Sequence, residues 1–523
     1  MPDAPENSPN SAVPRSAKRM LRNVLSNWGS YIFEMAVTFF LAPFIVRHLG
    51  NTSYGVWTLI VSLTGYLGLL DLGVRGAVTR YVARFHATGE HQESSRVATS
   101  ALFIFGAAGA LAMLAASILS VAAPSIFHLP PEYRTAARLV LMLTGINVAV
   151  SLISGIFGGV LVGLQRFDLS NSIDVGISGS RALAVVFALQ SGLGITALAC
   201  IQLVFNSLRG CVSAWLAHRL YPELRIRLAT ADQAHVKLIF SFSFYAFLLQ
   251  VSGNLIYYTD TVVIGAFLPV SMITFYVIGG NLVEYSRIFI RGISQAMSPL
   301  ASALDAQHEG QELQRVLLFS MQAATMVALP IATTFMLRGE SFIRMWMGAQ
   351  YAELSGRVLL LLTPTVILWS ANNATAGVVI GIGKHKAIVP VLLAEGLSNL
   401  LLSALWVRHY GILGVALGTT IPNLASSLFF WPWYAKRTLA VPTRLYIMSG
   451  WIRPAIGIVP FALITLAFER LSPASNLLIF FLQVAAAMPT ALLGFWFLCF
   501  SSAERDLYLR KLTSVVGRFV SRR

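Results

Sequence analysis

ATSALFIFGAAGALAMLAASILSV, residues 98–121, runs without a single charged side chain. A hydrocarbon core of about 30 Å is crossed by about 20 apolar residues of α-helix, so this stretch is long enough to span a membrane. LLIFFLQVAAAMPTALLGFWFLCF, residues 477–500, passes the same test. Working outward from these two, about fourteen comparable segments lie between Val24 and Phe500, separated by short polar connections. Their apolar residues are continuous and do not alternate, which selects helices over a barrel. The expected fold class is an all-α integral membrane protein.

Composition agrees with that reading. Hydrophobic residues make up 56% of the 523 and charged residues 11%, with a mean hydropathy of +0.70, a balance outside the range of soluble globular chains. A net charge of +16 would suggest nucleic acid in a soluble protein, but here the basic residues sort by membrane side. With a cytoplasmic N-terminus, the inner connections collect roughly 24 Lys and Arg and the outer ones roughly 8. Both termini are therefore expected in the cytoplasm. Residues 1–23 are rich in Pro, Ser and Asn and place Arg15, Lys18, Arg19 and Arg22 before the first apolar run. No small-residue cleavage site follows, so 24–46 reads as a retained helix. Cys200, Cys211 and Cys499 sit within apolar spans, with neither disulfide nor metal-site spacing, and read as small core residues.

The longest inner connections, Arg80–Val97, His218–Lys237, Ala301–Arg315 and Ala435–Gly450, are too short for a folded soluble domain. The longest outer loop is expected at about Arg338–Ser355, with Met345-Trp346-Met347 and Tyr351 as an aromatic anchor at the membrane interface. After Phe500, Tyr508, Leu512, Val515, Val516 and Phe519 fall at helical spacing among Arg510, Lys511, Arg518, Arg522 and Arg523. That pattern fits a basic amphipathic helix on the membrane surface.

The chain also repeats itself. Residues 48–57 before the second span correspond to 267–276 before the eighth, an offset of about 219 residues, and Gly192–Leu198 recurs as Gly411–Leu417 at nearly the same offset. Six helices per repeat return the chain to the side it left, so the repeat is parallel, with its axis along the membrane normal. The expected layout is a polar and basic N-terminus (1–23), a six-helix lobe (24–217), an inter-lobe linker (218–237), a second six-helix lobe (238–434), a connection with two further helices (435–500) and the basic tail (501–523). Repeats of this kind place a substrate path at a central cavity between the lobes.

Phe44-Ile45-Val46-Arg47-His48-Leu49-Gly50, then Tyr54-Gly55-Val56-Trp57, then Leu69-Leu70-Asp71-Leu72-Gly73 resembles the opening of polysaccharide-biosynthesis transporters. These are the lipid-linked oligosaccharide, or O-antigen type, flippases of the multidrug/oligosaccharidyl-lipid/polysaccharide (MOP) exporter superfamily. Residues 342–351, with Trp346, Gly348 and Tyr351, are similar to the segment between helices 9 and 10 of that family. The resemblance implies two six-helix lobes around a central cavity plus two C-terminal helices. It also implies alternating access that carries an undecaprenyl-pyrophosphate-linked glycan across the bacterial inner membrane. The implied partners are that lipid-linked oligosaccharide, membrane lipids and other polysaccharide-assembly membrane proteins, with no cofactor, metal or nucleic acid.

A pyrophosphate inside an apolar bundle needs cations, and arginine forks pair with phosphate oxygens bidentately. Ionisable residues within spans are costly and are functional candidates. Counting about 1.5 Å per residue from the expected helix ends puts Glu34, Arg181, Arg209, Glu284 and Arg287 near the midplane. Asp71, Arg75 and Arg291 fall nearer the cytoplasm, and Asp260 near the outer end. Arg287 and Arg291 share a helix face, with Glu284 one turn from Arg287 and placed to hold it; Asp71 and Arg75 repeat the spacing on the second span. The expected substrate contacts are Arg287, Arg291, Arg75 and Arg181, and the expected coupling or pairing acids are Glu34, Asp71 and Glu284. Arg181 and Asp174, seven apart, also suit an ion pair. Arg209 suits a packing role, and Glu395 with Asn372-Asn373 suits contacts between helices. Gly253, Gly265, Gly279, Gly280 and Gly292 in the seventh and eighth spans, with Pro330, Pro364, Pro390 and Pro422 later, are places where helices bend, and a hinge is expected near Gly253.

Two other functions compete. An ion-coupled drug exporter of the same superfamily favours carboxylates for cationic cargo, whereas Arg75, Arg287 and Arg291 stand beside the acids here. A membrane glycan polymerase or transferase relies on a large outer loop and on enzymatic motifs, and neither stands in the sequence. The chain is expected not to be an enzyme. Proton, sodium and gradient-free mechanisms are all compatible with Glu34 and Asp71.

Overall fold

A computed structural model of the chain describes residues 15–226, 232–500 and 505, and these are helical with no strand among them. The expected amphipathic tail and most of the polar N-terminus lie outside the described residues. The helix Arg15–Leu67 breaks at Gly50 (φ 75°, ψ 170°), a left-handed φ that only a residue without Cβ adopts freely. It divides α1 (15–49) from α2, which runs 51–67, passes a 3-10 turn at Gly68–Asp71 and resumes as Val74–Thr88. Next come α3 (His91–Ile126), α4 (Pro131–Gly163), α5 (Phe167–Gln190), α6 (Ile195–Leu220), α7 (Gln233–Phe267) and α8 (Ser271–Ala306). They are followed by α9 (Gly310–Trp346), α10 (Ala349–Gly381), α11 (Ile388–Tyr410), α12 (Ile412–Leu439), α13 (Thr443–Leu471) and α14 (Leu477–Cys499). Eleven segments of the described residues have the length and hydropathy to cross a membrane, the first of them holding both α1 and α2. With α7 and α8, they make up the fourteen passes.

Several connections are shorter than expected because the helices extend beyond their apolar cores. The expected outer loop Arg338–Ser355 is helical except at Met347 and Gly348, and Trp346 and Tyr351 are buried in packing instead of anchoring at an interface. The connection expected over Ala435–Gly450 shrinks to 440–442. At Gly253, where a hinge is expected, α7 runs on as one helix. The interruption falls in α2, where Leu72 (φ 52°) and Gly73 (φ 76°) are both left-handed and stop a right-handed helix beside Asp71 and Arg75. Of the cysteines only Cys499 is buried; Cys200 and Cys211 are exposed on α6.

The chain forms two compact units, divided by contacts and not by chain order. Of the described residues, the first comprises 15–48, 70–120, 139–226 and 232–244. Its core joins Val74, Val78 and Phe85 of α2 to Val97 and Phe105 of α3 and Ile156 and Val160 of α4. At one end, the buried His235 bridges Glu93 (2.7 Å) and Asp232 (3.1 Å), tying the start of α7 to α3. The Asp232 carboxyl is held below its usual range by the backbone N–H of Ala234 and by His235.

The second unit comprises, of the described residues, 49–69, 121–138 and 245–500. Residues 49–69 join it through Thr274, which donates to the Asn51 carbonyl (2.7 Å), and Asn254, which donates to the Gly65 carbonyl (3.0 Å). Gly55 lies so close to the Val270 carbonyl that a Cβ there would overlap it. Backbone cannot swing aside as a side chain can, so Gly55→Ala is expected to cost about 1–3 kcal/mol. The check is the apparent Tm in detergent, with Gly29→Ala, where a Cβ meets nothing, melting no lower than wild type.

Candidate substrate site

The helical spacing of Glu284, Arg287 and Arg291 puts all three on one face of α8, opposite Trp369 of α10. Both guanidinium groups lie over the Trp369 ring, at 5.5 and 5.8 Å from its centre, a cation–π arrangement strengthened by desolvation. Arg287 donates to Thr365 Oγ1 at 3.0 Å. Glu284 pairs with Arg291 at 2.8 Å but stands 3.9 Å from Arg287. Glu284 thus pairs with Arg287 as expected, though more closely with Arg291 two turns on, and Thr365 and Trp369 add to the positioning of Arg287. Two guanidiniums sharing one carboxylate leave a net positive charge, and the buried Nε of Arg287 has no partner. Such a pair is equipped to take an anion with more than one oxygen.

Two cavities meet at Arg287. One, of about 230 Å³, is walled by Tyr54, Trp57, Tyr257 and Asn281 together with Glu284 and Asp260. The other, of about 180 Å³, is walled by Trp369, Trp431, His385, Glu395 and Asn423 among others. Both lie within the second unit.

Asp260, which the depth count set near one end of its span, is the buried acid of the first cavity, 6% exposed. Tyr276 and Thr419 donate to its Oδ2 at 2.5 and 2.8 Å, while Oδ1 has no partner. Thr419 also reaches Asn399 Oδ1 (3.4 Å), to which Ser403 donates (2.8 Å). Among the described residues no Lys or Arg pairs with Asp260. A carboxylate oxygen beside hydroxyl and amide oxygens is a donor set suited to a proton or a hard cation. The sequence signal was the run Thr259-Asp260-Thr261 inside an otherwise apolar helix.

Glu395 joins α11 to α12, as expected, by accepting from Asn423 (2.8 Å) and Ser426 (2.5 Å). Asn372 accepts from Tyr446 at 3.0 Å.

In the first unit, Arg75 stands 3.4 Å from Asp71 and its guanidinium lies flat against Gly155. It lines a cavity of about 140 Å³ with Asp174, Asn206 and Arg209. Asp174 pairs with Arg209 of α6 at 2.7 Å, which replaces the expected partnership with Arg181. The neighbouring helix α6 brings Arg209 within direct reach of Asp174. Arg181 lines neither this cavity nor any ion pair among the described residues. Glu34 is exposed on α1 and likewise carries no ion pair among them. The expected set therefore separates into Glu284, Arg287 and Arg291 in one unit and Asp71, Arg75, Arg181 and Glu34 in the other, with Arg181 and Glu34 in no ion pair among the described residues.

Residues 20–305, more than half of the chain, match the family described as polysaccharide biosynthesis protein. The chain belongs to this family. A "Putative O-antigen transporter" of Shigella flexneri is 22% identical over 81% of this chain and 99% of its own. A "Probable flippase AglR" of Haloferax volcanii is 20% identical over 95% of this chain and the whole of its own. Among solved structures, an inward-facing multidrug resistance MATE transporter of the MOP superfamily superposes with a TM-score of 0.68 at 16% identity, covering 78% of this chain and 98% of its own. The lipid II flippase MurJ, inward closed, gives 0.68 at 12% identity, covering 91% and 98%. The protein is accordingly a multi-pass membrane protein of the polysaccharide biosynthesis family, with a fold like that of the MATE transporter and of MurJ.

Proposed function

We propose that the protein flips an undecaprenyl-pyrophosphate-linked oligosaccharide from the inner to the outer leaflet of the cytoplasmic membrane by alternating access, with both termini in the cytoplasm. The observation that carries this reading is the Arg287–Arg291 pair, two stacked guanidiniums with one carboxylate between them. Arg287 lines both cavities with its Nε unpartnered, and an intramembrane cation with free donors suits an anionic occupant. A pyrophosphate supplies several oxygens to two forks. Arg75, held by Asp71 in the first unit, is a separate candidate for a phosphate contact. The relatives named as an O-antigen transporter and a flippase support the same cargo class. Asp260 is the carboxylate at which a coupling proton or cation would exchange.

The test is translocation of a fluorescent undecaprenyl-pyrophosphate oligosaccharide in proteoliposomes. Transfer between leaflets that depends on the protein is the expected result. Failure to move the glycolipid, with a cationic dye leaving the vesicles under an imposed ion gradient, would replace this reading with drug export.

A further inference from the structure

The cavity of about 180 Å³ behind Arg287 contains polar groups that the protein itself leaves unsatisfied. Asn423 Oδ1, Ser427 Oγ and His385 Nδ1 are buried without a hydrogen-bond partner. Asn423 is 6% and Ser427 1% exposed. Buried polar atoms are nearly always paired, so three orphans facing one cavity point to an occupant that can both donate and accept hydrogen bonds.

The orphans are held in place. Asn423 commits its amide nitrogen to Glu395, so its oxygen is left as an acceptor. Ser426 donates to the other Glu395 oxygen. A π-helical turn over Ser426–Phe430 interrupts α12 at this point; such turns shift the helix register and recur at functional sites. Here the turn lets adjacent serines do different work, Ser426 on Glu395 and Ser427 in the cavity. Each Glu395 oxygen already accepts a hydrogen bond from α12, and the polar orphans disfavour an acyl chain. Trp369 and Trp431 add aromatic faces, which pack against the apolar C–H face of a ring while neighbouring polar groups fix its hydroxyls.

We infer that this cavity is a saccharide subsite that reads the first sugar on the pyrophosphate. The inference rests on the proposed pyrophosphate contact at Arg287, because that residue lines the cavity and stacks on its wall residue Trp369. A phosphate held there carries its sugar one bond away. A cavity of about 180 Å³ suits one monosaccharide ring better than a whole oligosaccharide. Specificity for the glycan is then set at its reducing end, and the remaining sugars are read loosely.

The test is competition in proteoliposomes against translocation of the fluorescent glycolipid. The competitors are undecaprenyl pyrophosphate without sugar and the same lipid carrying glucose, galactose or N-acetylglucosamine. For the wild type, at least one sugar-bearing lipid is expected to compete about tenfold better than the bare lipid, the worth of one or two hydrogen bonds. Ser427→Val, which fills the cavity, and His385→Ala, which removes an orphan from its edge, should shrink that preference to about twofold or less. Inhibition by the bare lipid, unchanged in both variants, shows that they are folded and still bind the pyrophosphate. An unchanged sugar preference in both variants overturns the subsite and leaves the cavity as a water pocket. Equal competition by bare and sugar-bearing lipids in the wild type overturns it as well. If no pyrophosphate lipid competes at all, the pyrophosphate reading of Arg287 itself has failed.

Discussion

Arg287→Ala is expected to slow glycolipid translocation at least about 30-fold, the effect of truncating one partner of a buried, hydrogen-bonded charge contact. The loss should be specific to transport. Glu284 keeps its 2.8 Å pair with Arg291 when Arg287 is removed, so no carboxylate is orphaned in the bundle, and Thr365 retains its bond to the Leu362 carbonyl. Arg287→Lys should fall between the two, because the ammonium keeps the charge but loses the planar fork and the stack on Trp369. Initial rates at matched reconstitution, together with apparent Tm values, provide the check. A rate within twofold of wild type for Arg287→Ala would remove Arg287 from the substrate path.

The passes of this protein were legible because lipid forces every backbone group to be satisfied within its own helix, so each span announces itself by length and hydropathy. Which face of each span points inward was not legible. Lipid-facing positions are as apolar as the interior: Phe187 and Phe429 are exposed, whereas Asn399, Ser403 and Thr419 are buried. Hydrophobic periodicity therefore loses the contrast it has in water. The Glu284–Arg287–Arg291 group was readable because it lies on one helix and its spacing is fixed by helical geometry. The Asp260 cluster was not: Asp260 stood out within its span, but its partners come from α8, α11 and α12 and none of those is unusual in its own segment. The same limit hid Arg209 as the partner of Asp174. The α2 interruption escaped because it turns on Leu72, a residue that by composition continues a helix. Arg338 fared similarly: a charge at the edge of an apolar run reads as the start of a loop, yet α9 continues past it.

Arg338 is 1% exposed, and its environment accounts for the attachment of the last two helices. It pairs with Glu469 near the end of α13 at 2.7 Å, donates to Gln483 of α14 at 2.6 Å and lies over the Phe480 ring at 4.5 Å. Ser341, one turn along α9, also donates to Glu469. One side chain of α9 thus gathers both C-terminal helices, beside an apolar seam of Leu329, Phe461, Ala487 and Phe495. Arg338→Ala removes the cation and leaves Glu469 facing the bundle with only Ser341 to satisfy it. Breaking a buried pair in this way costs about 3–5 kcal/mol, chiefly through the charge left behind. The expected result is an apparent Tm several degrees below wild type in detergent and early protease cleavage between α12 and α14. The double variant Arg338→Met, Glu469→Gln should recover most of the loss, because it keeps volume and leaves no lone charge. A single variant that melts with the wild type, or a double variant no more stable than the single, would show that the pair does not hold these helices. Translocation per folded molecule should be unchanged in the double variant, since Arg338 lines neither cavity at Arg287. The cation that fastens the C-terminal helices and the cations that meet the substrate are then separable by experiment, although the sequence presents them alike as arginines within or beside apolar spans.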